Sequence, residues 1–115
     1  MKKIYYLSTC STCKKLIDSI NTNGFEMIDI KKTPLSEEEL EKLKQLSGSF
    51  ESLFSKRAKL YTSLGLKNQE LTESDFKKYL LMDYTFLKRP VIVDDKEIFI
   101  GSSAATQEKL VERYQ

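Results

Sequence analysis

The feature that most constrains the fold is a pair of cysteines placed directly after a short apolar run. Residues 4–7 are aromatic, β-branched or leucine, which predicts a buried first strand. Cys10 and Cys13 follow at once, and apolar residues recur at helical spacing from position 11 to a stop at about 23–24. Residues 25–30 predict a second strand. The chain therefore opens as β-α-β, with a Cys-x-x-Cys pair where the first helix starts.

The rest of the chain predicts a helical middle and a final hairpin and helix. Ser36 with Glu39, and Thr72 with Asp75, have the spacing of residues that begin helices. The apolar runs 91–93 and 97–100 flank a short polar turn, which predicts a β-hairpin, and a last helix follows. We expect one α/β domain over 1–115, with a helical insertion at about 36–85. Its order is β-α-β, insertion, β-β-α, with a four-stranded mixed sheet flanked by helices.

Charge and hydropathy exclude several classes of function. The chain of 115 residues carries 19 Lys and Arg against 17 Asp and Glu, so no strong field favours nucleic acid or an anionic membrane. The opening apolar run is too short for a signal peptide, and no stretch approaches the roughly 20 apolar residues of a membrane span. We expect a cytoplasmic, monomeric protein that contacts neither membrane nor nucleic acid directly.

The absence of histidine restricts the available chemistry to sulfur, carboxylate, lysine and arginine. Two cysteines are too few for a closed intrachain zinc site, so no metal is expected. Because cytosolic thiol pools keep cysteines reduced, we expect the two cysteines to have a reactive role and not to form a structural disulfide.

The position of the cysteine pair predicts different roles for its members. A sulfur at a helix start faces unsatisfied backbone N–H groups and the positive end of the helix dipole, which favours a thiolate. Cys10 is therefore the candidate nucleophile. Cys13 lies one turn further on, about 5 to 6 Å away between Cα atoms, where it can resolve an intermediate as a disulfide. The alternative is an inert pair buried in the core.

Arg89 and Pro90 are the candidates that complete the site. In this topology the segment entering the third strand returns beside the start of the first helix, opposite Cys10. Arg89 supplies a fixed fork of donors for an oxyanion, a glutathione carboxylate or the thiolate itself. Arg57, in the helical insertion, is a candidate second clamp; the alternative is a solvated helix arginine.

These segments together resemble the arsenate reductase (ArsC)/Spx family of thioredoxin-like proteins, which includes glutaredoxin-coupled arsenate reductases, Spx-type redox regulators and small glutathione-linked relatives. The likeness runs in order along nearly the whole chain. It is carried by YYLSTCSTCKK at 5–15, FSKR at 54–57, LGL at 64–66, LKRPVIV at 87–93 and IG at 100–101.

The resemblance implies a thioredoxin-like fold, a nucleophilic Cys10, an oxyanion-binding Arg89 and a cis Pro90. We expect Ser11 and Thr12, with Arg57, Arg89 and Pro90, to be the substrate-binding residues. Ser55 and Ser102 stand where the arsenate reductases carry their other two arginines. The pattern therefore resembles the Spx-type and glutathione-linked branches, in which arsenate is not the expected substrate.

Three functions follow from these residues. The first is a thiol-dependent reductase acting on an oxyanion or a glutathione mixed disulfide, with no bound cofactor. Glutathione or another thiol would be the reductant, through glutaredoxin or thioredoxin. The second is a redox-sensing transcriptional regulator whose cysteine pair controls binding to RNA polymerase. The third is a redox-inert binding module.

Overall fold

Four strands form one mixed sheet, in the order β2-β1-β3-β4. In the computed structural model, which describes all 115 residues, they are β1 (Lys2–Tyr6), β2 (Glu26–Asp29), β3 (Val91–Asp94) and β4 (Glu97–Ile100). β1 pairs in parallel with β2 and antiparallel with β3, and β3 pairs antiparallel with β4. The predicted β-α-β opening and the terminal hairpin are both confirmed.

Two helices cover one face of this sheet, α1 (Ser11–Asp18) and α5 (Ala104–Arg113). Ile4 and Ile92 are paired across β1 and β3, so their side chains share that face. Both belong to one buried cluster with Leu16 of α1 and Leu110 of α5. This packing places the start of α1 at the end of the sheet where β1 stops.

Helix α1 is shorter than its apolar spacing predicts. It ends at Asp18, whereas the sequence predicts a helix to about Asn23, and Gly24 lies instead in a turn with positive φ. Both the hydroxyl and the backbone N–H of Ser19 donate to the carbonyl oxygen of Leu16, at 2.6 and 3.1 Å. Serine competes in this way for helical carbonyls, which explains the early end.

The chain divides into two compact units, residues 1–33 with 89–115, and residues 34–88. The sheet, α1 and α5 belong to the first unit. The insertion predicted at about 36–85 falls inside the second, which holds α2 (Glu37–Ser47), α3 (Lys59–Ser63) and α4 (Glu73–Met82). Three short 3-10 helices complete it, at Glu51–Leu53, Leu66–Asn68 and Tyr84–Phe86.

The second unit is stabilised by its helix caps and by an aromatic core. Capping boxes join Ser36 to Glu39 and Thr72 to Asp75, as predicted. Phe54 is almost fully buried, with ring centroids 4.9 Å from Phe76 and 5.1 Å from Phe86. No helix in the chain has both the length and the apolar content needed to cross a membrane.

Candidate thiol site

Cys10 is the N-cap residue of α1. Its backbone is extended (φ −90°, ψ 108°), and its Sγ accepts the backbone N–H of Cys13 at 3.5 Å. The N–H of Thr12 also donates to this sulfur. Cys10 is partly exposed, and no disulfide joins it to Cys13. A sulfur in this position is held by amide groups that have no partner within the helix.

The surroundings of Cys10 favour its ionised form. Partial burial by itself raises the pKa of the thiol, but hydrogen bonds from the backbone and thiol of Cys13 and from the Thr12 N–H, with the charge of Arg89, outweigh it. The net result is a pKa below that of an ordinary cysteine. Such a shift increases the thiolate fraction, and the thiolate is the nucleophilic form.

Cys13 has the opposite character. Its side chain is 0% exposed. Burial raises the pKa of the Cys13 thiol to about 12, and the hydrogen bond and charge of Cys10 add to the increase. Cys13 therefore keeps its proton and donates it toward Cys10. The two thiols therefore differ: the surroundings favour the thiolate at Cys10 and the protonated thiol at Cys13.

Arg89 and Pro90 lie at the same end of the sheet as Cys10. Because β1 and β3 are antiparallel and Tyr5 pairs with Val91, the residues that enter β3 stand beside the loop that leaves β1. The Arg89–Pro90 peptide bond is cis, as the resemblance implies, and Pro90 is buried. The carbonyl of Pro90 accepts the N–H of Gly101 at 2.8 Å.

The guanidinium of Arg89 has a donor available. Its Nη1 atom is buried and makes no hydrogen bond to the protein, and its charge lowers the pKa of Cys10. A buried donor without a partner costs free energy, and a guanidinium is the side chain best suited to bind a carboxylate or oxyanion. The arrangement at Cys10 and Arg89 can therefore accept an anionic group beside a nucleophilic sulfur.

The remaining predicted residues are placed as follows. Ser11 and Thr12 are exposed in the first turn of α1, between the two cysteines. Arg57 is exposed in the second unit, where its backbone N–H donates to Ser55 Oγ at 3.3 Å. Cys10, Cys13, Arg89 and Pro90 belong together in the first unit, and Arg57 does not. No three Cys, Asp or Glu side chains are grouped so as to hold a metal ion.

Sequence reasoning missed three residues around the loop that joins β1 to α1. The Leu7 carbonyl accepts the Cys10 N–H at 3.0 Å, and the Leu7 N–H donates to the sulfur of Cys13. The side chain of Ser8 is hydrogen-bonded to Asp29, at the end of β2. The one available signal was an acidic residue inside an apolar run, at position 29 between two isoleucines.

Comparisons with known proteins agree with this architecture. A global transcriptional regulator Spx of Streptococcus mutans is 29% identical over 104 residues, which cover 88% of this chain and 76% of the regulator. A possible arsenate reductase from the same species, of known crystal structure, is 26% identical with a TM-score of 0.74, and the match covers 96% of this chain and 97% of that one.

A putative arsenate reductase from Yersinia pestis is 22% identical with a TM-score of 0.78, covering 97% of this chain and 99% of that one, a likeness that shows the fold alone. The fold is thus thioredoxin-like, with a four-stranded mixed sheet. Residues 5–110 match the ArsC family, a span that includes both cysteines, Arg89 and Pro90. On this match, which extends over nearly its whole length, the chain belongs to the ArsC family.

Proposed function

We propose that this protein is a thiol-dependent oxidoreductase that reduces glutathione mixed disulfides, with Cys10 as nucleophile and Cys13 as resolving thiol. The observation that carries the proposal is the unequal pair: a Cys10 thiol with a lowered pKa, next to a buried Cys13 thiol that holds its proton. The unpartnered Nη1 of Arg89 adds a donor for a substrate carboxylate.

The first step is a thiol-disulfide exchange. The Cys10 thiolate attacks the glutathione sulfur of the mixed disulfide, whose S–S bond breaks as the new one forms. The substrate sulfur leaves with the electron pair of the broken bond and takes a proton from water. The product is a Cys10–glutathione disulfide and a free substrate thiol.

The second step uses the pair itself. Once Cys10 is in a disulfide, its negative charge no longer holds the proton on Cys13, which can then ionise more readily. The Cys13 thiolate attacks the Cys10 sulfur, releases glutathione and closes a Cys10–Cys13 disulfide. Two electrons have then left the pair, and an external thiol, either glutathione with glutaredoxin or thioredoxin, returns them in the cytoplasm.

An oxyanion is the other substrate class for this site. Arsenate would bind Arg89 and be attacked by Cys10 in the same way. The family resemblance makes it the weaker choice, because Ser55 and Ser102 stand at the two other arginine positions. A serine hydroxyl supplies no positive charge to an anion. We therefore place the mixed disulfide ahead of arsenate.

The test is turnover with each substrate. Reduction of a glutathionylated peptide is followed with an excess of the pre-reduced protein as the only thiol, because glutathione and glutaredoxin reduce such a peptide by themselves. Reduction of arsenate is followed in a parallel assay, with glutathione and glutaredoxin as reductant. The proposal requires that Cys10→Ser abolish reduction of the peptide and that Cys13→Ser accumulate the Cys10–glutathione disulfide, visible by mass spectrometry. If the wild-type protein reduces neither substrate although its Cys10 is reactive, the proposal of an enzyme is contradicted.

The second candidate is a redox-sensing transcriptional regulator, favoured by the regulators among the relatives. In that function, closing the Cys10–Cys13 disulfide changes a surface that binds RNA polymerase. Purified RNA polymerase should then be retained on the oxidised protein and not on the reduced one. Loss of this difference in both Cys10→Ser and Cys13→Ser, without any turnover, would identify the regulator.

A further inference from the structure

Asp29 is the buried carboxylate of the first unit, and neither step above uses it. Its residue is 9% exposed, and it is the sole charged side chain of the chain that is buried. It closes β2, opposite Tyr6 at the end of β1, and the N–H of Ile30 then donates to the Tyr6 carbonyl at 2.9 Å. Asp29 therefore lies beside the start of the 7–10 loop, which joins β1 to α1.

The contacts of Asp29 reach into that loop. Its carboxylate accepts a hydrogen bond from the Ser8 hydroxyl and another from the Lys31 N–H at 3.0 Å. The Ser8 hydrogen bond, assisted by that N–H and the nearby charge of Lys32, lowers the pKa of Asp29, so the group is ionised at neutral pH. A hydrogen bond to a charged acceptor is stronger than one between neutral groups.

The loop held in this way carries contacts to both sulfurs. Immediately before Ser8, the Leu7 carbonyl accepts the Cys10 N–H and the Leu7 N–H donates to the Cys13 sulfur. From these contacts we infer that Asp29, through Ser8, is a positioning residue, which holds the 7–10 loop so that the Cys10 sulfur stays over the amides of α1. The inference takes its functional meaning from the proposed thiol chemistry.

A positioning role and a purely electrostatic role of Asp29 predict different effects of substitution on the rate of Cys10 alkylation. If Asp29 acted on Cys10 only through its negative charge, Asp29→Asn would make the thiolate more favourable and speed alkylation. If it acts by holding Ser8, the asparagine oxygen can still accept the hydroxyl, and Asp29→Asn should behave nearly as wild type. Asp29→Ala and Ser8→Ala should instead loosen the loop and weaken the amide contacts to Cys10.

The experiment is the pH profile of Cys10 alkylation by iodoacetamide in the reduced full chain, with the label assigned by fragmentation mass spectrometry. We expect Ser8→Ala and Asp29→Ala to raise the pH midpoint of Cys10 alkylation and to slow alkylation at pH 7 by about three- to fivefold. The double variant should be no slower than the more affected single variant, because both remove one interaction. Glu26→Gln, an exposed acid on the same strand, is the matched control and should leave the profile unchanged.

Circular dichroism verifies that each variant is folded, and if Asp29→Ala does not fold, Ser8→Ala decides. An unchanged profile in Ser8→Ala, or faster alkylation in Asp29→Asn, overturns the inference. Alkylation needs no disulfide substrate, so it is measured independently of turnover. If the variants shift the alkylation profile but the wild-type protein reduces no substrate, the proposed enzyme is contradicted and the positioning role stands.

Discussion

The backbone N–H of Cys13 lies 3.5 Å from the Sγ of Cys10 and donates to it, so the second cysteine supports the first before any disulfide forms. The same residue keeps its own thiol buried and protonated. A separation of three residues at a helix start produces both effects, since it places one backbone amide under the N-cap sulfur and one side chain inside the core.

The two thiols should differ sharply in reactivity. We expect iodoacetamide at pH 7 to label Cys10 in the reduced, folded protein and to leave Cys13 unmodified, because Cys13 is fully buried and its pKa is about 12. The midpoint of Cys10 labelling should lie below the value of about 8.5 of a free cysteine. Mass spectrometry of the labelled peptide measures both. Equal labelling of the two residues in the folded protein would refute the assigned roles.

The Arg89 guanidinium should lower the pKa of Cys10 without stabilising the fold. In Arg89→Met the apolar stem remains and the buried Nη1 without a partner disappears, so the free energy of unfolding should stay level or rise by about 1 kcal/mol. The midpoint of Cys10 alkylation should rise, because the positive charge that lowers its pKa is gone. Urea denaturation and alkylation test the two effects.

The matched control for Arg89 is Arg113→Met. Arg113 pairs with Glu97 at 2.7 Å on the surface of the same unit. Its loss should change stability little and leave the Cys10 profile where it is. If Arg89→Met alkylates with the wild-type profile, the guanidinium does not act on the thiolate.

Cys13 should destabilise the reduced fold at alkaline pH. Its pKa is about 12 in the folded protein and about 8.5 in a free cysteine, so above about pH 9 the unfolded chain has lost a proton that the folded chain keeps. Stability then falls as pH rises, by about 1.4 kcal/mol per pH unit from this group.

The comparison that isolates this effect is wild type against Cys13→Ala between about pH 9 and pH 11, a range that lies below the folded-state pKa of Cys13. The variant loses buried volume, so it is less stable at pH 9, and the difference should shrink as pH rises. Urea denaturation under reducing conditions measures it. A constant difference over this range would show that the thiol of Cys13 is not held protonated.

The helix caps of the second unit should each contribute measurably to stability. Ser36 Oγ accepts the Glu39 N–H at 3.1 Å, and Thr72 Oγ1 accepts the Asp75 N–H at 3.3 Å. We expect Ser36→Ala and Thr72→Ala to lower the free energy of unfolding by about 1 kcal/mol each. Ser74→Ala, in the exposed first turn of α4, should change it by less than about 0.5 kcal/mol. Equal effects in all three would argue against the capping hydrogen bonds.

Much of this architecture follows from short-range patterns. The capping boxes at Ser36 and Thr72 were predictable because their hydrogen bonds join residues three positions apart, within a single turn. The strands were predictable from their apolar runs. The end of α1 was predicted too late, because the apolar spacing continues to Ile20 while the side chain of Ser19 takes the helical carbonyl.

From residue order alone came the β-α-β and β-β-α segments, the cysteine pair at a helix start, and the topology that returns Arg89 to it. All of these depend on local spacing or on simple rules of strand connection. Only the folded chain separated the two thiols into one exposed enough to react and one fully buried, left Arg89 Nη1 without a partner, and brought Asp29 to Ser8. Burial and contacts between distant residues decide those properties, and no pattern within one segment encodes them.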